Sequence, residues 1–316
     1  MYIYREKEAL SVFHKSVHTL IGGTPLLEIR HVPLPNQVKL IAKLEYMNPG
    51  GSIKDRLGSY LIKQAIKEGH ITAKGTIIEP TAGNTGIGLA MAAVGTEVSV
   101  YAIVPEGFSK EKMQLMQALG AHVIQTPKSL GMQGAINHAR ALTLEIPDSY
   151  CPEQFSNEAN PLTYYETLAP ELWSQLNGRV DIFVAGAGTG GTFTGTARYL
   201  KEQNSNIRTV VVEPQGSVLN GGESGPHRTE GIGMDRMSSI MDQNLFDNIH
   251  TIQDKQAFQA VRDLARFEGL LVGSSSGAAL VAAIREAQAA KEGSTVVTIF
   301  PDGSERYLST GIYEED

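Results

Sequence analysis

The stretch NPGGSIKDR, Asn48 to Arg56, sets Lys54 behind two glycines and a serine, where a short apolar run hands over to a helical pattern. A lysine at such a turn is ordinarily a solvated surface charge, protonated at neutral pH and therefore a poor nucleophile. Here the glycines permit close backbone approach, and the apolar face of the following helix gives the lysine stem a route into a cleft. Desolvation there would favour the neutral amine that Schiff-base chemistry requires. The stretch by itself leaves both readings open.

Three further loops carry residues suited to holding a ligand. GAGTGGT, Gly186 to Thr192, follows an apolar run and opens a helical segment, so its backbone N–H groups are placed to cradle a phosphate. Gly186, Gly188 and Gly191 also satisfy GxGxxG, and Glu213 ends the next apolar run 22 residues on, where a ribose-binding acid would sit. An NAD-dependent oxidoreductase therefore stands as a competitor, beside a glycine-rich turn that binds nothing. GSSSG, Gly273 to Gly277, fits the GxSxG elbow of hydrolases with Ser275 as nucleophile. That chemistry needs an acid and then a histidine downstream, and although Asp302 supplies an acid, the last histidine is His250. Ser275 is left as a helix cap or a hydrogen-bond partner for a ligand. EPTAGNTG, Glu79 to Gly86, places small residues, Asn84 and two threonines at the start of another helical pattern, which suits a carboxylate or a simple cap.

These loops all fall where a β-rich run meets a helical one. Strands are predicted over 38–46, 76–80, 98–105, 122–126, 181–186, 209–214 and 295–301, with helical patterns between them. In DRLGSYLIKQAIKEG, for example, Leu57, Leu61 and Ala65 share one face while Lys63 and Lys67 turn away. Repeated βα units imply mostly parallel, doubly wound sheets with ligand sites at the strand ends. The 316 residues are enough for two domains or one large α/β unit, and 41% hydrophobic with 19% charged residues is an ordinary globular composition. A net charge of −7 provides no basic field for nucleic acid, and one cysteine, Cys151, excludes an intrachain disulfide framework. No HExxH or similar metal-ligand spacing appears. The charged N-terminus and the absence of a long apolar window predict a cytoplasmic protein without a membrane segment.

Lys54 in NPGGSIKDR, TAGNTG, GAGTGGT and GSSSGAA, in that order, resemble the tryptophan synthase β-like, fold type II pyridoxal phosphate family. The resemblance runs from IGGTPL near residue 21 to FPDGSERYLS near residue 308 and points within the family to the cysteine synthase and cystathionine β-synthase group. It implies two doubly wound α/β domains with the active site in the cleft between them. The larger, phosphate-binding domain would comprise residues 1–47 and 157–316, and the smaller, residues 48–156, would carry the lysine and the substrate loop. By the same resemblance Lys54 forms the Schiff base with pyridoxal 5'-phosphate and Asn84 meets the ring hydroxyl. Gly188, Thr189, Gly190, Gly191 and Thr192 hold the phosphate, Ser275 meets the pyridine nitrogen, and Gly231 lines the cofactor pocket. Thr81, Ala82, Gly83, Thr85 and Gln154 take the substrate carboxylate. The implied reaction is β-replacement through an α-aminoacrylate intermediate, with a segment within residues 100 to 145 closing over the substrate.

Two features bear on the acceptor thiol. Many cysteine synthases read TSGNTG where this chain has Ala82, so one hydroxyl near the carboxylate is missing. EPQGSVLNGG, Glu213 to Gly222, resembles the corresponding segment of cystathionine β-synthases, with Ser217 on the side where a larger thiol enters. Both imply homocysteine as acceptor and O-acetylserine or serine as donor, in the manner of the bacterial O-acetylserine-dependent cystathionine β-synthases. The alternative is an O-acetylserine sulfhydrylase, or cysteine synthase, using sulfide. Tyr165 matches an active-site tyrosine of the cystathionine β-synthases, although a core aromatic would fit the same position. His227 is expected at the surface and Cys151 in packing. The family further implies a homodimer, and leaves open the docking of a serine acetyltransferase.

Overall fold

The computed structural model describes residues 13–35, 37–81 and 83–314. In chain order the elements are β1 (Leu26–Glu28), β2 (Lys39–Leu44), α1 (Lys54–Lys67), β3 (Thr76–Pro80), α2 (Asn84–Ala93), β4 (Ser99–Pro105), α3 (Lys110–Ala118), β5 (His122–Thr126), α4 (Gly131–Glu145) and β6 (Ser149–Tyr150). They continue with α5 (Ala159–Glu166), α6 (Leu168–Gln175), β7 (Ile182–Gly186), α7 (Gly191–Gln203), β8 (Arg208–Pro214), β9 (Asn248–Ile252), α8 (Asp254–Asp263), α9 (Ser274–Ala289) and β10 (Thr295–Phe300).

The strands form a six-stranded sheet in the order β1-β2-β10-β7-β8-β9 and a four-stranded sheet in the order β5-β4-β3-β6. Only β1 runs antiparallel to its neighbour; the other pairings are parallel. Both sheets are doubly wound, as the βα alternation predicts. The central strands read as near-continuous apolar runs because both faces are covered. Along β7, Ile182 and Val184 point into one core cluster, and Phe183 and Ala185 into the other. Strands β1, β6 and β9 escape sequence reading because they are short and only partly buried, so they carry little periodic signal.

Helix α1 follows the pattern seen in its sequence: Leu57, Leu61 and Ala65 are buried while Lys63 and Lys67 are exposed. It packs closely on α2 through two glycines. A Cβ on Gly58 would come within 2.2 Å of the Gly88 carbonyl, and one on Gly88 within 2.2 Å of the Lys54 carbonyl. The two helices that begin with Lys54 and Asn84 thus touch backbone to backbone. No described helix is long and apolar enough to cross a membrane.

Candidate active site

The cleft between the sheets holds a cavity of about 370 Å³ lined from both sides. Its walls bring together Lys54, Thr81, Gly83, Asn84, Thr85, Gln154, Gly188, Thr189, Gly190, Thr192, Gly231 and Ser275. These residues are read separately along the chain, and the fold collects them around one volume. Ala82 lies outside the described residues.

Lys54 is the first residue of α1, and Ile53 beside it lies against the cavity. Its Nζ lies 3.5 Å from the hydroxyl of Tyr164, a residue with 0% exposure, and the half-buried lysine lines the cleft. On the opposite wall, β7 ends at Gly186 and α7 begins at Gly191, and the turn between them presents the helix N-terminus to the cavity. Gly190 sits at φ +91°, where a side chain would also meet Met241, and a Cβ on Gly188 would lie 2.4 Å from the Gly231 carbonyl. Such crowding keeps Gly188 and Gly190 without side chains, so the turn offers a ligand its backbone N–H groups beside the hydroxyls of Thr189 and Thr192. Gly231 sits at φ +85°, a backbone setting that favours glycine, and its Cα faces the Ser275 hydroxyl, which a Cβ would meet at 3.7 Å. A phosphate cradle, a lysine amine and a serine hydroxyl therefore face one volume, and these residues fit pyridoxal phosphate. Gly191 is set back from the wall, its Cα packed on Asn160.

Ser275 does not cap α9. The N-cap is Gly273, and Ser275 is the second helical residue, two positions past the cap. Its neighbour Ser274 accepts a hydrogen bond from the Glu230 backbone at 3.0 Å, which ties the Gly231 segment to α9.

The substrate loop is built around buried Glu79. Its carboxylate accepts from the backbone of Glu153 at 3.0 Å and of Gln154 at 3.2 Å, and the Thr85 hydroxyl donates to the Gln154 side chain at 2.7 Å. Burial pushes the Glu79 carboxyl up to about 8, against the backbone donors that pull it down. Asn160, fully buried, donates to Gln154 O at 2.7 Å and Thr189 Oγ1 at 3.0 Å, and so joins the substrate side to the phosphate side.

Asn84 is held at both ends of its amide. Its Nδ2 donates to Asp302 at 2.6 Å, and its Oδ1 accepts from Arg306 at 2.8 Å. Tyr307 also donates to Asp302. Burial raises the Asp302 carboxyl above its ordinary range, and Tyr307 and Arg306 oppose that shift. Sequence reading did not find Asn160, Tyr164 or Arg306, and considered Asp302 only as a hydrolase acid. A polar helix start in NPLTYYE and the basic residue in DGSER are the only local signals they leave.

Two expected contacts are corrected. Tyr165 points away from the cavity: its hydroxyl donates to Glu202 at 2.6 Å and its ring meets Tyr199 edge-on, because one residue along a helix turns the side chain by about 100°. Ser217 is buried off the cavity. Its hydroxyl accepts from the Met234 backbone at 3.1 Å and donates to Met234 O at 3.3 Å, so it closes the 217–234 loop instead of meeting an acceptor. Glu213, the acid of the dinucleotide reading, accepts from the backbone of Leu219 at 2.8 Å and Asn220 at 3.1 Å and from Thr251 at 2.9 Å. It is spent on capping a turn and offers no ribose contact. Cys151 packs beside Ile78 and Ile103, and burial pushes its thiol up to about 12.

The family model described as "Pyridoxal-phosphate dependent enzyme" matches residues 17–302. The chain is 56% identical over 295 residues to an O-acetylserine dependent cystathionine beta-synthase of Bacillus subtilis, covering 93% of this chain and 96% of that relative. It is 55% identical over 295 residues to a cysteine synthase of Helicobacter pylori, with the same two coverages. The crystal structure of an O-acetylserine dependent cystathionine beta-synthase from Helicobacter pylori superposes with a TM-score of 0.91 at 53% identity, covering 96% of this chain and 100% of that one.

Proposed function

The chain belongs to the pyridoxal-phosphate dependent enzyme family as a β-replacement enzyme of the cystathionine β-synthase and cysteine synthase type, and from that premise we propose that its acceptor is homocysteine and its product cystathionine. The donor in this reading is O-acetylserine or serine. The observation that carries it is the apolar mouth of the cavity, where Phe108, Met132 and Phe155 line one side and the two phenylalanines are 46% and 43% exposed. Sulfide needs no such surface, whereas the methylenes of homocysteine gain from burial against it. The likeness to the Bacillus subtilis relative supports the same choice.

When bound, pyridoxal phosphate supplies an electron sink for bond breaking at the substrate Cα and Cβ. In this reading the chain's own residues do the rest. Lys54 holds the cofactor and, once released, moves the proton off and back onto Cα. The Gly188–Thr192 turn receives the phosphate at the α7 N-terminus, Gly231 lines the neighbouring wall, and Asn84 meets the ring hydroxyl. Ser275 presents a neutral hydroxyl to the ring nitrogen. A serine there would not enforce protonation of the ring nitrogen as a carboxylate would, and so would temper the electron sink that the cofactor supplies. Thr81, Gly83, Thr85 and Gln154 orient the substrate carboxylate beside the α2 N-terminus, and the elements spanning 100 to 145 exclude water. The Cβ–O bond breaks with loss of acetate or water, and a C–S bond to the thiol replaces it. A cytoplasmic homodimer completes this reading; sedimentation of the purified protein tests the dimer.

Product analysis tests the acceptor: O-acetylserine or serine, each offered homocysteine or sulfide. Cystathionine is expected from homocysteine, and exclusive cysteine formation would overturn the choice. The second reading, a sulfide-using cysteine synthase, is favoured by the likeness to the Helicobacter pylori cysteine synthase and predicts that opposite outcome.

A further inference from the structure

We propose that Arg306 and Asp302 are positioning residues that fix the carboxamide of Asn84 in one orientation and so leave one of its N–H groups for an acceptor oxygen in the cavity. The inference rests on the reading of Asn84 as the side chain that meets the cofactor's ring hydroxyl.

The two ends of a carboxamide have the same shape, so only the hydrogen-bond chemistry of its neighbours can choose between its two settings. Arg306 is a donor without acceptor capacity, and its Nη1 lies 2.8 Å from Asn84 Oδ1. Asp302 presents its Oδ2 to Asn84 Nδ2 at 2.6 Å, and the same oxygen accepts from Tyr307. A flipped amide would set NH₂ against a guanidinium and C=O against the carboxyl oxygen, unfavourable at both ends. Both partners are themselves fixed. Arg306 and Asp302 are 4% and 2% exposed, and Arg306 Nη2 donates to Gly50 O at 2.9 Å, in the turn that leads to Lys54. The seat of Asp302 is also close-fitting, since a Cβ on Gly273 would fall 2.2 Å from its Oδ1.

An amide nitrogen carries two hydrogens. Asp302 takes one, no described residue takes the other, and Asn84 lines the cavity. The locked amide therefore presents a donor there and selects an oxygen that accepts, as an ionised ring hydroxyl does. Asp302 and Arg306 stand 218 and 222 residues from Asn84 in the chain, so the segment after β10 sets the orientation of a side chain at the start of α2.

The test is a double-mutant cycle read by cofactor affinity of the apoprotein and by the visible band of the resting holoprotein, with no turnover involved. Asn84→Ala should weaken cofactor binding about tenfold and move the band, as expected for loss of one hydrogen bond to a charged oxygen. Arg306→Met should produce most of that loss, Arg306→Lys, which keeps a donor, should restore much of it, and the Asn84→Ala/Arg306→Met pair should lose little more than the worse single variant. Losses that multiply in the pair would overturn the inference alone, because Arg306 would then act through the fold and not through Asn84. An unchanged affinity and band in Asn84→Ala would overturn both the inference and the reading of Asn84 beneath it. Should Arg306→Met not fold, the same cycle with Asp302→Ala decides by the same two outcomes.

Discussion

Lys54 sits at the first position of α1 with its side chain lining the cleft, and among the described residues the partner of its amine is the buried hydroxyl of Tyr164 at 3.5 Å. Under the proposed function this amine both holds the cofactor and moves a proton, so its removal ends both tasks. Lys54→Ala should therefore lose the borohydride-sensitive visible absorption and lower turnover by at least about 10²–10⁴-fold, the range of proton-transfer catalysis alone. The neighbouring tyrosines should separate in their effects. Tyr164→Phe leaves the released amine without its hydroxyl partner, so kcat should fall roughly fivefold with little change in KM, a loss of the size of one modest hydrogen bond. Tyr165→Phe removes only a contact to Glu202 on α7 and should leave both constants within about twofold. Steady-state kinetics of the two variants, side by side, check this, and equal effects would contradict the placement of Tyr164.

At the scale of elements, the site depends on helices that start in the right place. The contact of Gly88 with the Lys54 carbonyl leaves no room for a methyl group, so Gly88→Ala must push apart the first turn of α1 and the body of α2. A loss of about 1–3 kcal/mol in denaturant unfolding is expected, the usual cost of overpacking, together with weaker cofactor binding. The strand end at Glu79 gives a pH prediction. Its folded carboxyl is raised to about 8, and that of Asp55 to about 7, both first of all by burial. Between the ordinary carboxylate range and those values the native chain binds more protons than the unfolded one. Their contribution to stability is complete below the ordinary carboxylate range, declines as pH rises above it, and is lost once pH passes the folded values of about 7 and 8. Thermal or urea midpoints should fall over that window, and Glu79→Gln should flatten the slope by up to roughly 1 kcal/mol per pH unit. A slope identical in the variant would show that Glu79 does not carry it.

For the whole molecule, the two sheets face each other across the cleft, and one of the contacts that join them lies on α3. Lys112, 4% exposed, reaches Glu230 at 2.7 Å and lies 4.3 Å over the Tyr307 ring, so the four-stranded side grips the segment that carries Gly231 and the partner of Asp302. Lys112→Met should loosen that grip without touching the cofactor: the visible spectrum stays, and KM for the amino-acid donor rises about tenfold. Stopped-flow binding of the donor would show the same loss as faster release. How much of this was legible varied with distance along the chain. The Gly188–Thr192 turn and the Lys54 turn were readable because glycine and serine signals sit within a few residues of the group they serve. Asn160, Arg306 and the true setting of Tyr164 were not, because each contact that gives them a role joins segments far apart in sequence.

The sequence by itself determined the βα alternation, the helix starts that carry Lys54, Asn84 and Ser275, and the glycine turn opposite them, since periodicity and turn chemistry are local properties of the backbone. The resemblance it carries led to the family. Only the tertiary structure decided which neighbour of a helical pair meets the Lys54 amine, that Ser217 and Glu213 are spent on loops, and which way the Asn84 amide is turned. The physical reason is that a side chain's direction and its free hydrogen-bonding capacity depend on partners supplied by remote segments, and local sequence does not record them.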